Sequence, residues 1–405
     1  MILFYAVWRS SQVLTCWRAW RHPATQLFDF FIGATQDSPE LNKINAVVSA
    51  LLPWYARNAR DLPWRREPYC KDPYCVYVSE IMLQQTQVRT VQPYWERWMR
   101  ALPNLEALAK ARPQRLHKLW EGLGYYSRVR NLQRAARIIR QQLGGVFPRD
   151  YDNLLALPGI GRYTAGAICS IAFNQPKPIL DGNVVRVLAR LYGITGNPRA
   201  QKTNARLWQL AEKLVCAAAR TTERRACSRF NQSLMELGAL ICAPRQPRCG
   251  CCPLVKQCVA YRQGRVDQLP EGRRRVRATP RRFAAFVVQQ DDRFLVRQRP
   301  AGVVNARLWE FPNLEVASGD SALPGAARSV LGVRPGKLER LDVIKHSITR
   351  YRVTLEAYWV TAPRSAWTGA AGGQWVGRDR LKRLAFASAH RRILQCLERK
   401  SRGIS

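Results

Sequence analysis

Two acidic residues sit where acids are scarce. Glu80 lies in VYVSEIMLQQTQV, among Val76, Ile81, Met82 and Leu83. Asp181 lies in ILDGNVVRVLARLYG, ahead of an amphipathic run with Val184, Val187, Leu188 and Leu191 on one face. A carboxyl held among apolar groups has a raised pKa and can act as a general acid. The same glutamate could equally be structural, bonded to backbone or to an arginine. Asp181 stands where a helix N-cap would, a role worth about 1 kcal/mol, and the helix dipole favours its ionised form. A charged carboxylate is what a developing cation needs beside it. As a pair, the two suit cleavage of a glycosidic bond, which takes one carboxyl that can be protonated and one that stays charged.

Cys242, Cys249, Cys252 and Cys258 follow the spacing C-x6-C-x2-C-x5-C inside ICAPRQPRCGCCPLVKQC. Four thiolates within so few residues predict one inorganic centre, either a 4Fe-4S cluster or tetrahedral zinc. Cys251 adjoins Cys252 and is a poor simultaneous ligand. The four histidines, His22, His117, His346 and His390, are too scattered for a His-rich site. Leu157-Pro158-Gly159-Ile160-Gly161 joins two helical segments, residues 151–156 and 162–173. Gly159 and Gly161 permit a tight turn and close approach of backbone to a ligand. The next helix offers unpaired N–H groups to a phosphate. This is the pattern of a helix–hairpin–helix, which grips a nucleic-acid backbone without reading sequence. A plain glycine-rich helix connection would use the same residues.

The elements that must position these residues divide the chain. Residues 1–43 carry Arg9, Arg18 and Arg21 and no acid before Asp29. They read as a disordered N-terminal extension, with a transit peptide or an upstream start as alternatives. From 44 to 260, apolar residues recur at spacings of three and four between Gly and Pro breaks, which predicts an all-α domain. Residues 261–280 form an Arg-rich linker suited to lying along phosphates. From 281 to 398 the period changes. FAAFVVQQ, RFLVRQR, RVTLEAYWV and GGQWV read as strands, with one short helix near 326–331, giving an α/β domain.

Composition adds a direction. The 405 residues hold 66 Lys+Arg against 28 Asp+Glu, a net charge of +38, and such an excess favours a polyanionic partner whose binding weakens with salt. No stretch reaches the length of an uncharged membrane span. Twelve cysteines with a tight ligand-like cluster and no secretory signal point to a reducing interior rather than to disulfides.

LPW (62–64), SEIMLQQTQV (79–88), GLGYYSRVRNL (122–132), LPGIGRYTAGAI (157–168), ILDGNVVRVLAR (179–190) and the four-cysteine motif together resemble the adenine DNA glycosylases of MutY type, in the helix–hairpin–helix superfamily. The resemblance runs from about residue 44 to 260, then more weakly to about 398. It implies an enzyme that flips adenine out of duplex DNA where it is mispaired with 8-oxoguanine or G, and hydrolyses its bond to the sugar. By that resemblance Glu80 protonates the adenine, and Asp181 stabilises the oxocarbenium ion or bonds to it transiently. Tyr163 and Asn183 line the pocket, while Gln85, Leu123 and Tyr125 enter or brace the duplex. The cysteines would hold a 4Fe-4S cluster. Endonuclease III is similar but carries a nucleophilic lysine where this chain has Tyr163, and a phenol forms no Schiff base. A monofunctional glycosylase follows. A thymine-mismatch or endonuclease III-like DNA glycosylase is the runner-up, and a catalytically silent lesion-binding protein is a reading of another class.

The second domain resembles a MutT-like, Nudix-fold module used to recognise 8-oxoguanine. Its LPGAARSVLGV (323–333) lacks the glutamates a Nudix hydrolase needs for metal, so binding rather than hydrolysis is implied. In KHSITRYRV (345–353) Thr349 keeps a hydroxyl where the family often has Phe-Ser-His, and Arg350 could reach a phosphate. The resemblance further implies a monomer that binds no membrane and works in the cytoplasm, on the nucleoid if the source is bacterial.

Overall fold

Ser38 accepts a hydrogen bond from Leu41 N at 3.2 Å, and Pro39 sets the first turn of helix α1 (Pro39–Asn58). Asp72 does the same for α2 (Pro73–Leu83), accepting from Tyr74 N at 2.8 Å ahead of Pro73. Every residue of α2 from Tyr74 to Met82 is buried, so Glu80 sits on a helix with no solvent face. The chain continues through α3 (Val88–Ala101), α4 (Leu105–Lys110), α5 (Pro113–Leu119), α6 (Ser127–Gln142) and α7 (Tyr151–Leu155). Next come α8 (Arg162–Ala167), extended by a π-helical turn Ile168–Ala172, and α9 (Gly182–Tyr192), which ends at Gly193 with φ +64°. The helical part closes with α10 (Gln201–Ala219), α11 (Ala226–Leu240) and the short α12 (Val259–Arg262). These boundaries belong to a computed structural model that describes residues 38–272, 278–317, 322–348, 350–361 and 372–401. Most of the expected N-terminal extension, part of the basic linker and Thr349 lie outside the described residues.

One apolar core runs through the helices, with Tyr77, Trp98, Trp120 and Phe230 among its fully buried side chains. It is pinned by one charge cluster. Glu236 on α11 is buried, and its carboxylate accepts from Arg60 Nε at 2.7 Å, Arg60 N at 2.9 Å and Arg65 Nη2 at 2.8 Å. Burial alone would push this carboxyl up; the two guanidiniums reverse that and hold it at about 2. Glu236→Gln should therefore cost about 3–5 kcal/mol in urea unfolding at neutral pH, since it strands two arginines. Because the folded pKa lies below the ordinary value, this stability is fully present above the usual carboxylate range. It disappears as pH falls through about 2.

The C-terminal part is built on a mixed sheet. Its strands are β1 (Thr279–Gln290), β2 (Arg293–Gln298), β3 (Trp309–Glu310), β4 (Asn313–Glu315), β5 (Leu338–Ile348), β6 (Tyr351–Val360) and β7 (Gln374–Gly377). The main path runs β3-β2-β1-β6-β5, with β4 on β1 and β7 on β2. β1 and β6 are parallel, and β5 and β6 antiparallel. Helix α13 (Leu323–Leu331) lies between β4 and β5, and α14 (Arg378–Arg383) and α15 (Ser388–Ser401) follow β7. Alternation along β1 feeds two cores: Ala285 and Val287 join Phe294, Phe311 and Phe386, while Ala284, Phe286 and Val288 join Leu323 and Ala327 of α13. A helical N-terminal part followed by a β-rich C-terminal part thus agrees with the expected fold class.

The iron–sulfur element of that fold class does not stand. Among the described residues no group of three or more His, Cys, Asp or Glu side chains is arranged to hold a metal ion. Cys242, Cys249, Cys252 and Cys258 are free thiols, so the spacing that predicted a 4Fe-4S cluster or zinc is corrected. Cys242, Cys252 and Cys258 instead pack against the helical core as small apolar groups. Burial pushes the Cys252 thiol up to about 12 and raises Cys249 and Cys258 as well, opposing the thiolate a metal requires. Arginines hold the loop. Arg186 donates to Cys242 O and Gly238 O, each at 2.7 Å, and Arg190 donates to Ala243 O at 2.8 Å and Leu269 O at 2.9 Å.

The two parts meet at Glu121, at the end of the α5 connection. Its carboxylate accepts from Lys118 Nζ and from Phe386 N, each at 2.8 Å, and Lys118 also donates to Leu384 O at 3.0 Å. Leu308, Ala385 and Ala387 extend the helical core into the C-terminal part. No described helix is long and apolar enough to cross a membrane.

Candidate active site

Three elements converge. α2 presents Glu80, the first turn of α8 presents Tyr163, and the start of α9 presents Asp181 and Asn183. Glu80 is 5% exposed, and its Oε2 accepts a short hydrogen bond from the Tyr163 hydroxyl. Burial pushes the Glu80 carboxyl up to about 7; the Tyr163 bond opposes the rise, and the nearby Asp181 charge adds to it. Arg65, which could have neutralised Glu80, spends its guanidinium on Glu236. Arg65 therefore acts on Glu80 only through its charge, which lowers the carboxyl less than burial raises it. Tyr163 is raised well above its ordinary value by burial, then by the charges of Glu80 and Asp181, and so remains a donor. Its hydroxyl also lies 3.5 Å from Met235 Sδ.

Asp181 is an N-cap and something more. Oδ1 accepts from Val184 N at 2.7 Å and Oδ2 from Asn183 Nδ2 at 2.8 Å. Burial raises its pKa, against the expectation that the helix start keeps it ionised, while the Val184 and Asn183 donors pull it back toward the charged form. Asn183 in turn accepts from Arg186 Nη2 at 2.9 Å, so the second carboxylate is aimed by a chain of two side chains. Gly238 makes the approach of α9 to α11 possible: a Cβ there would lie 2.6 Å from Asn183 Cβ and 3.1 Å from Asn183 backbone. Gly166 does the same for α8, where a Cβ would lie 2.1 Å from Pro178 O.

The α7–α8 turn holds the expected glycine pair in two different roles. Gly159 has φ +79°, and a Cβ would meet Asn131 Cβ at 2.6 Å, so only glycine fits. Gly161 is the N-cap of α8 in extended backbone with open space beside it and no side-chain cap.

The three residues expected to engage a duplex separate. Gln85 and Tyr125 are exposed, Tyr125 at 51%, and both adopt left-handed backbone, with φ +57° and +46°. Leu123 is 6% exposed and belongs to the helical core. What links them is Arg128, which sequence reading passed over. Its buried guanidinium donates to Ile81 O, Met82 O and Gln84 O at 2.8, 3.1 and 2.6 Å, and to Leu123 O and Gly124 O at 2.9 and 3.2 Å. It therefore satisfies the carbonyls at the end of the Glu80 helix and those preceding both left-handed residues, Gln85 and Tyr125. Burial lowers Arg128 to about 10, still charged at neutral pH. The signal was in GLGYYSRVRNL, but nothing in that motif shows that an arginine faces inward. Arg128→Met should slow single-turnover base release by about 100-fold through misplacement of the Glu80 helix. Arg128→Lys should rescue it poorly, because one ammonium cannot span five carbonyls.

Comparison with known proteins fits this geometry. Residues 78–213 match the model of the HhH-GPD superfamily base excision DNA repair protein. An adenine DNA glycosylase of Mus musculus is 35% identical over 410 residues, covering 88% of this chain and 78% of its own. The chain belongs to the adenine DNA glycosylase family. The human relative is 33% identical over 414 residues, covering 88% of this chain and 74% of its own, and that of Buchnera aphidicola (Schizaphis graminum) 36% over 266, covering 65% and 74%. Residues 284–396 match the NUDIX domain, so the C-terminal sheet is a Nudix, MutT-like module. This glycosylase is thus a hydrolase of N-glycosyl bonds that acts on DNA.

Proposed function

We propose that this glycosylase hydrolyses adenine from duplex DNA where it is mispaired with 8-oxoguanine or G. The observation that carries the reading is the buried Glu80–Tyr163 hydrogen bond beside the capped Asp181. Once adenine is flipped into the pocket, protonated Glu80 donates its proton to the base, weakening the bond to the sugar. The base leaves with the bonding electrons. Asp181 faces the resulting oxocarbenium ion, and water attacks the sugar carbon and loses a proton. Tyr163 holds Glu80 in place, and Asn183 orients Asp181. No lysine stands at position 163, so the product is an abasic site with its strand intact.

Contacts to DNA are proposed for Gln85 and Tyr125, and for the uncapped α8 turn at Gly159 and Gly161. Leu123 would have to leave the core to enter a duplex, so its part is to anchor the loop carrying Tyr125. In the domain scheme proposed, 44–260 does the chemistry, 261–280 links, and 281–398 recognises 8-oxoguanine. Thr349 is proposed to contact the lesion; next in sequence, Arg350 lies over the Tyr351 ring at 5.1 Å as a cation for phosphate, while Arg281, over the same ring at 4.7 Å, is paired with Glu315 at 2.7 Å.

The test is base release from duplexes carrying A opposite 8-oxoguanine, A opposite G, T opposite G and A opposite T, each split with and without alkali. Alkali-dependent cleavage at A opposite 8-oxoguanine is the expected result. Cleavage at T opposite G instead would transfer the enzyme to the thymine-mismatch class. Binding without cleavage of any duplex would leave a lesion-binding protein.

A further inference from the structure

A cleft of 580 Å³, lined by none of Glu80, Tyr163, Asp181 or Asn183, lies between α5 and α6 of the helical part and the segment joining β2 to β3. Arg112, Arg130, Arg134 and Arg307 line it, and no acidic residue does. None of the four side chains has a hydrogen-bond acceptor or ion-pair partner among the described residues, and Arg130 Nη1 is buried without one. His117, at the same wall, is held down at about 4 by burial and then by the Arg130 charge, so it stays neutral at pH 7. Exposed Pro113 gives the cleft an apolar wall, and Leu116 and Val129 behind it are packed in the helical core.

Arg112, Arg134 and Arg307 are exposed, so water and salt screen much of their mutual repulsion, whereas the buried Arg130 Nη1 without a partner costs about 1–3 kcal/mol. An anion relieves both terms. Guanidinium forks match the tetrahedral oxygens of phosphate better than a single carboxylate. The volume lies in the range of small-molecule sites, roughly 300–1,000 Å³, and exceeds what a lone phosphate fills. The apolar wall is left for a flat organic body. We propose that this cleft binds a phosphate ester, the phosphate on Arg130, Arg134 and Arg307 and the organic part against Pro113. Because both domains line it, an occupant there bridges them. The phosphate can come from a free nucleotide or from the backbone of bound DNA. The site stands apart from the catalytic carboxylates and does not depend on which base they release.

The test uses the full chain, with thymidine 5′-monophosphate as probe, since a pyrimidine avoids confusion with an adenine pocket. Titration calorimetry compares wild type, Arg130→Gln, the double variant Arg134→Gln/Arg307→Gln, and Arg100→Gln as a control for loss of charge on the exposed face of α3. In parallel, affinity for an undamaged duplex is measured against salt. Base release by each variant at saturating enzyme reports that the fold persists. A free-nucleotide site predicts at least tenfold weaker thymidine monophosphate binding in both cleft variants, wild-type binding in Arg100→Gln, and no heat from thymidine. A backbone-phosphate site predicts no nucleotide binding by any form. In that case the slope of log K against log salt becomes shallower by about 1 in Arg130→Gln and by about 2 in the double variant, and does not change in Arg100→Gln. The proposal is overturned if the cleft variants match wild type in both assays, or if Arg100→Gln changes either assay as much as they do.

Discussion

Glu80→Gln is expected to lower single-turnover release of adenine by roughly 10²–10⁴-fold, the range lost when a positioned general acid is removed. Glutamine keeps the volume of the side chain and can still accept from the Tyr163 hydroxyl, so what disappears is the proton. The fold should not suffer. Burial holds the carboxyl at about 7, so the folded state loses stability as pH rises from the ordinary carboxylate range to about 7 and carries the whole cost above it. A neutral amide escapes that penalty, so the variant should unfold at pH 8 no more easily than wild type. Rate and thermal midpoint measured together separate the two roles open for this residue. A rate loss accompanied by a large fall in midpoint would make Glu80 structural.

Asp181→Asn should reduce the same rate by about 10²–10³-fold, the scale of removing one preorganised group that faces developing charge. Affinity for the mispaired duplex should hold or rise, because a carboxylate contributes nothing favourable beside phosphates. Asparagine caps helices as well as aspartate does. The bond from Val184 N at 2.7 Å therefore has a replacement acceptor, and stability should change little. Asp181→Ala removes cap and charge together, and should add a loss of about 1 kcal/mol in urea unfolding to the same kinetic defect. If Asn and Ala were equally destabilised and Asn kept wild-type turnover, Asp181 would be a cap alone.

Much of this site was legible in the sequence because its residues break local rules. An acid inside the apolar run Val76–Leu83 and an aspartate ahead of an amphipathic helix are both visible without coordinates. Gly159 was legible for the same reason, since its turn demands positive φ. Arg128 was not: on paper it is one more arginine in a chain with 66 basic residues, and only packing reveals five carbonyls around it. Leu123 was placed toward DNA by resemblance, whereas packing puts it in the core. The cysteines misled because spacing fixes chain separation but not the direction of each Sγ. Arg186 and Arg190 organise that loop from a helix some 50 residues earlier in the chain, beyond the reach of any local motif. In the C-terminal part, β1, β2, β6 and β7 carried the apolar alternation of strands. β5 did not, because it lies at the end of the sheet path and is buried only at Ile344. An edge strand needs polar residues, and they hide it from pattern reading.

The most direct measurement is the pH dependence of single-turnover adenine release from a duplex carrying A opposite 8-oxoguanine. Glu80 is effective when protonated, and its carboxyl sits at about 7, so the rate should fall about tenfold per pH unit above that value. Asp181 is effective when ionised and is raised by burial, so a second fall should appear on the acid side. A bell-shaped profile with its alkaline limb near 7 is the predicted result. A rate that stays flat from pH 5 to about 9 would contradict proton donation by Glu80, and with it the chemistry assigned to this site.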